Sequence, residues 1–155
     1  KTKSILIVDD NKLNIKVARR SLEQLNFKVI DECYNGKECV DKIKNNEKYD
    51  IILMDIMMPI MSGETALEEL KKIEGFNTPV IALTADAVAG AEERYKEEGF
   101  DGYIAKPFNK DQIKVNLDSL FDNKKKVKEL EEDIWKDAPT YIFTSSLAKD
   151  NEDKL

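Results

Sequence analysis

The sequence predicts an α/β fold: a doubly wound, five-stranded parallel sheet with helices on both faces. Three observations predict it. Short, β-rich apolar runs recur at residues 4–8, 51–54, 80–83 and 102–105. Continuous apolar runs of this length, rather than alternating ones, suit strands buried on both faces. Segments of helical apolar spacing separate them, so the order reads β-α five times over with loops of ordinary length. Right-handed crossovers then place helices on both sides of the sheet.

Residues 1–8 read as the first strand, which stops at Asp9-Asp10. Residues 11–25 carry Ile15, Ala18, Leu22 and Leu25 at helical spacing and read as an amphipathic helix. Residues 27–33 form the second strand. Asn35-Gly36 makes a turn, and residues 37–45 a short helix with Val40 and Ile43 inward. Residues 50–55 are the third strand, after which Pro59 and Gly63 break the backbone. Residues 64–73 are a helix with Ala66, Leu67 and Leu70 as its apolar face. Thr78-Pro79 opens the fourth strand, which ends at Thr84.

Beyond Thr84 the pattern weakens. Residues 85–91 are small and polar. Residues 92–98 are helical but poor in large apolar groups, so this stretch is expected to be loosely held, and Gly99 is a natural stop. The fifth strand ends at Lys106-Pro107, and residues 109–121 form a last helix with Ile113, Leu117 and Leu120 inward. Residues 122–155 fit no further βα unit. Residues 122–135 are highly charged, with Val127, Leu130 and Ile134 at helical spacing, and either continue the last helix or pack as a separate one. The rest reads as linker or partner segment. The expected organisation is one domain over residues 1–121 and a charged C-terminal extension, partly helical or linker, over residues 122–155.

The chain has 155 residues, a hydrophobic share of 41%, a charged share of 36% and a net charge of −6. That length holds one domain with residues left over. The acidic balance argues against direct nucleic-acid binding and against a polybasic membrane-surface protein. No apolar run approaches the roughly 18 residues needed to span a bilayer. Cys33 and Cys39 are six positions apart, which is neither metal-ligand nor redox-motif spacing, so they read as two reduced thiols in a cytoplasmic protein. There is no histidine, which rules out histidine-based acid–base chemistry on this chain.

In an open α/β sheet the functional crevice lies at the carboxyl ends of the strands. Asp9, Asp10, Asp55, Thr84 and Lys106 all follow strand ends. A close pair of carboxylates repels by about 4 kcal/mol at an effective dielectric near 20, so three ionise together only around a cation. Oxygen ligands of this kind favour Mg2+ or Mn2+. Each residue also has a plain reading: Asp9 and Asp10 as helix caps, Thr84 as a β-branched strand residue, Lys106 as a solvated lysine. The coincidence at several strand ends favours chemistry. A carboxylate at Asp55 can attack a phosphoryl donor to give an acyl phosphate. The metal, Lys106 and Thr84 would then meet the phosphoryl oxygens.

The segments Ile5-Leu6-Ile7-Val8-Asp9-Asp10-Asn11, Leu53-Met54-Asp55-Ile56-Met57-Met58-Pro59-Ile60-Met61-Ser62-Gly63, Ala82-Leu83-Thr84-Ala85 and Tyr103-Ile104-Ala105-Lys106-Pro107-Phe108 resemble the receiver domain of two-component response regulators. The resemblance covers about residues 3–121, with every signature position filled in order. Asn11-Lys12-Leu13-Asn14 and the stretch from Met57 to Gly63 look most like receivers of hybrid sensor histidine kinases. The resemblance implies a flavodoxin-like sheet of order 2-1-3-4-5. It implies that Asp55 takes a phosphoryl group from a phosphohistidine on a histidine kinase or a histidine phosphotransfer domain. By the same resemblance Asp9, Asp10, Asp55 and the backbone carbonyl of Met57 bind Mg2+, and Lys106 and Thr84 bind the phosphoryl group. Thr84 and Tyr103 look like a switch pair that shifts between two packings and signals to an output domain or protein. The Lys106–Pro107 bond is implied to be cis, and Met57 and Asp86 to border the path of the attacking water and tune the lifetime of the phosphorylated state.

Such a protein is not an enzyme beyond assisting its own phosphorylation and dephosphorylation. The weighed alternative is a Mg2+-dependent phosphohydrolase of the haloacid dehalogenase type. That family needs a second acid two places after its nucleophile, where Asp9 is followed by Asn11.

Overall fold

The structure is a computed structural model that describes residues 3–27, 29–85, 89–106 and 109–136. They form β1 (Ser4–Val8), α1 (Lys12–Gln24), β2 (Val29–Cys33), α2 (Gly36–Lys44), β3 (Ile51–Asp55), α3 (Gly63–Lys71), β4 (Val80–Thr84), α4 (Ala91–Glu98), β5 (Gly102–Ala105) and α5 (Lys110–Lys136). The strands make one parallel sheet of order β2-β1-β3-β4-β5. The predicted architecture and strand order are both present.

Burial explains that order. β3 and β4 are buried along their whole length, and β1 from Ile5 onward. Their side chains meet helices on both faces, as continuous apolar runs require. The edge strands differ. β2 carries Asp31 and Glu32, both half-buried, and β5 buries only Ile104 fully. Charge on an edge strand discourages pairing with another chain.

The helix ends follow local chemistry. Asn11 caps α1, its side chain accepting from the amides of Leu13 and Asn14 at 2.9 and 3.3 Å. Asn35 caps α2 by accepting from the Glu38 amide at 3.0 Å, while the Gly36 amide donates to Met61 O at 3.1 Å. Ser62 caps α3 by accepting from the Thr65 amide at 3.2 Å. α1 and α2 both stop at an asparagine with positive φ, Asn26 at 71° and Asn46 at 68°. In each case the next two amides bond back into the last turn, Asn26 to Glu23 O and Phe27 to Leu22 O, Asn46 to Ile43 O and Glu47 to Lys42 O. Gly99 (φ 110°) closes α4 in the same way, with Phe100 N–H donating to Tyr95 O at 3.0 Å.

The sequence boundaries move slightly. β1 begins at Ser4 instead of residue 1, and β2 at Val29 instead of Phe27, because the left-handed turn at Asn26 occupies the residues before it. α4 is better anchored than its charged sequence suggests, since Ala91 and Tyr95 are buried. The charged stretch after Phe121 continues α5 without a break to Lys136. The chain divides into two compact units between Asp118 and Ser119, within α5. No helix among the described residues is long and apolar enough to cross a membrane. Residues 137–155 lie outside the described residues.

Candidate functional site

The parallel register aligns the strand ends. Val8 is opposite Met54, so Asp9 and Asp55 fall side by side on neighbouring strands. Asp55 is opposite Leu83, and Thr84 is opposite Ala105, which brings Thr84 and Lys106 to the same rim. The ladder runs on past the strands: Ile56 N–H donates to Leu83 O at 3.1 Å and Lys106 N–H to Thr84 O at 2.7 Å.

At that rim Asp9, Asp10 and Asp55 each offer a carboxylate oxygen, all within 4.8 Å of one another. Asp9 is fully buried and Asp55 is 5% exposed, while Asp10 is exposed. Lys106 Nζ donates to Asp55 Oδ1 at 2.9 Å and to Asp9 Oδ2 at 3.1 Å. Asp9 Oδ1 also accepts from the Asn11 amide at 2.9 Å. The helix cap is therefore Asn11, and the Asp9-Asp10 pair is left facing the rim. Three carboxylates against one ammonium leave net negative charge at the rim, a donor set that fits a small divalent cation.

Burial holds the Asp55 carboxyl above the usual carboxylate range. Hydrogen bonding to Lys106 opposes that, while repulsion from Asp9 and Asp10 adds to it. For Lys106 burial works against the charge, but the Asp55 and Asp9 carboxylates outweigh it and hold the ammonium above the ordinary lysine range.

Asp55, Met57, Thr84, Tyr95 and Lys106 line a cleft of about 760 Å³. Met57 on its wall is 82% exposed, and Ile60, three residues on, is 80% exposed. Ile60 has φ 69°, and Met61 N–H donates to Pro59 O at 2.7 Å, so residues 59–61 form a tight turn of the strained hand. Gly63 has a separate reason: a Cβ there would sit 2.3 Å from the Asp55 carbonyl oxygen, so only glycine lets α3 start against the end of β3.

The structure thus brings Asp9, Asp10, Asp55, Thr84 and Lys106 to one rim, as expected. Tyr103 is half-buried, with its ring 6.0 Å from that of Tyr95. Asp86 and Pro107, and with Pro107 the implied cis bond, lie outside the described residues. Sequence reasoning missed Tyr95. Its hydroxyl is 3.1 Å from Thr84 Oγ1, and both residues are buried. The available signal was one aromatic ring in an otherwise charged helix, four residues after Ala91.

A family profile described as the response regulator receiver domain matches residues 5–118. Two-component system protein A of Emericella nidulans is 38% identical over 112 residues, 72% of this chain and 16% of that protein. The polar-differentiation response regulator DivK of Brucella ovis is 40% identical over 109 residues, 70% of this chain and 87% of that protein. Among solved structures, the receiver domain of sensor histidine kinase PA1611 from Pseudomonas aeruginosa, with magnesium in its active-site cleft, is 32% identical. The two superpose with a TM-score of 0.65 over 74% of this chain and 93% of that one. The chain spans only 16%, 13% and 7% of the length of the first three curated relatives, two of which are named as histidine kinases. The haloacid dehalogenase alternative finds no support: the matching profile is the receiver domain, the relatives are histidine kinases and response regulators, and Asn11 serves as a helix cap.

Proposed function

The chain belongs to the response regulator receiver domain family, and from that premise we propose that Asp55 is its phosphoacceptor, charged by a phosphohistidine on a histidine kinase or histidine phosphotransfer partner. The observation that carries this reading is the convergence of Asp9, Asp55 and Lys106 within hydrogen-bond distance at the end of the central strand. An Asp55 carboxylate oxygen forms the new bond to phosphorus. The phosphorus–nitrogen bond of the donor breaks, and the imidazole leaves with the electron pair and is reprotonated. Lys106 exchanges its contact with Asp55 for one with a phosphoryl oxygen, and the Thr84 hydroxyl donates to another. Mg2+ or Mn2+ bound by Asp9, Asp10, Asp55 and the Met57 carbonyl would offset charge on the phosphoryl oxygens.

Output runs through the face of α4, β5 and the start of α5, with Thr84 and Tyr103 as the switch pair. Met57 and Asp86 tune hydrolysis, Asp86 by orienting the attacking water. The histidine-kinase relatives support a receiver part of a hybrid sensor histidine kinase on its cytoplasmic side, and the likeness to DivK supports a response regulator. The receiver would span residues 1–121, with residues 122–155 as a charged C-terminal extension, partly helical or linker. Acetyl phosphate with Mg2+ is the test, read by intact mass. The wild-type chain should gain one phosphoryl mass and Asp55→Asn none. A stoichiometric, acid-stable phosphate on the variant would overturn the assignment.

A further inference from the structure

Thr84 has one hydroxyl proton, and Tyr95 is one of the groups that bear on where it points. Thr84 Oγ1 and Tyr95 OH are 3.1 Å apart, in a geometry that lets either donate. Tyr95 is 2% exposed and lines the same cleft as Asp55 and Lys106.

The phenol is placed by its own helix end. Gly99 closes α4 so that Phe100 N–H bonds back to Tyr95 O, and the Phe100 ring meets the Tyr95 ring edge-on with centroids 5.8 Å apart. An apolar contact between these two positions is a regular part of such a helix stop. Tyr103 packs at 6.0 Å, and the Arg94 guanidinium lies 4.7 Å from the ring centre. A ring held by three neighbours presents its hydroxyl at a fixed point beside Thr84.

We propose that Tyr95 is a positioning residue for Thr84: it donates its phenol proton to Thr84 Oγ1 and so leaves the Thr84 proton for a phosphoryl oxygen on Asp55. A phenol is a stronger donor than an alkyl hydroxyl, which favours this direction. The bond then persists when the phosphoryl group arrives, and α4 is tied to the loaded site through a side chain of its own. In the opposite direction Thr84 would have to break its bond to Tyr95 before it could serve the phosphoryl group. This inference rests on the proposed phosphoryl-binding role of Thr84.

The experiment is a double-mutant cycle with beryllofluoride, a tetrahedral stand-in for the phosphoryl group, titrated with Mg2+ and followed by fluorine NMR. Tyr95→Phe keeps the ring and removes only the hydroxyl. It should weaken beryllofluoride about threefold to tenfold, the range for one hydrogen bond, and leave Mg2+ affinity unchanged. In a Thr84→Val background the same change should shift affinity by less than about twofold. In Thr84→Ser, which restores the hydroxyl, the full effect should return. Unchanged or tighter binding by Tyr95→Phe, with Thr84→Val itself weakened, overturns the role of Tyr95 alone. Unweakened binding by Thr84→Val overturns the underlying reading of Thr84.

Discussion

Lys106 Nζ lies 2.9 Å from Asp55 Oδ1, so the ammonium rests on the carboxylate proposed to receive the phosphoryl group. The same nitrogen reaches Asp9 Oδ2 at 3.1 Å. One cation therefore holds two buried anions in the metal-free protein.

Lys106→Met keeps the apolar stem and removes that cation. The Asp9 and Asp55 side chains, 1% and 7% exposed, lose their partner, and Lys106 itself is 18% exposed. Removing one member of a buried pair costs about 3–5 kcal/mol, and partial exposure brings the expected loss to about 1–3 kcal/mol. Urea denaturation in a chelator measures it. A loss under about 0.5 kcal/mol would show that solvent already screens the two acids.

Asp10 is the exposed acid of the three, and the α1 cap is made by Asn11. Asp10→Asn should raise the Mg2+ dissociation constant by at least about tenfold, which is 1.4 kcal/mol. Metal-free stability should stay level or rise by a few tenths of a kcal/mol, because like-charge repulsion falls. A drop of more than about 1 kcal/mol in a Mg2+-free melt would return Asp10 to a capping role.

Gly63→Ala drives a Cβ to 2.3 Å from the Asp55 carbonyl oxygen, and backbone cannot swing aside as a flexible side chain can. The end of β3 must shift. Overpacking of this kind costs about 1–3 kcal/mol, and the displaced Asp55 should react more slowly with acetyl phosphate. Normal phosphorylation kinetics in a destabilised variant would separate the fold from the site.

Burial is the main reason that the Cys33 thiol is pushed up to about 12 from 9.0; nearby Lys42 opposes the shift and Glu38 adds to it. The folded chain then keeps a proton that the unfolded chain releases, so this contribution is complete below pH 9 and is lost as pH rises toward about 12. Denaturation of the wild type should weaken more steeply between pH 8 and roughly pH 10.5 than that of Cys33→Ala. Thiol reagents at neutral pH should label Cys33 only as fast as the domain opens. Parallel pH profiles for the two proteins would refute the assignment.

The sheet and its acidic rim were legible because both start from local signals. Apolar runs mark strands, and parallel topology sends every strand end to one side, so Asp9, Asp55, Thr84 and Lys106 meet once the strand order is known. Tyr95 was not legible in that way. Its pairing with Thr84 depends on how α4 sits on the sheet, which Gly99 and Phe100 determine through a helix stop. The start of β2 was hidden similarly, because the left-handed Asn26 ends one element and delays the next.

The Asn35-Gly36 step has a consequence for chemical ageing. An asparagine before glycine deamidates when the glycine nitrogen attacks the asparagine side-chain carbon and closes a five-membered imide. Here the Gly36 N–H is committed to Met61 O, and Asn35 Oδ1 is committed to the Glu38 amide. Both reacting groups are held by the start of α2, and Asn35 is 7% exposed. The folded chain shelters its most labile bond, and only molecules that open there start the clock. Aspartate caps a helix as well as asparagine does, so it is the isomerised backbone from the imide that would undo the cap of α2 in stored protein, at a rate set by the fraction that opens there.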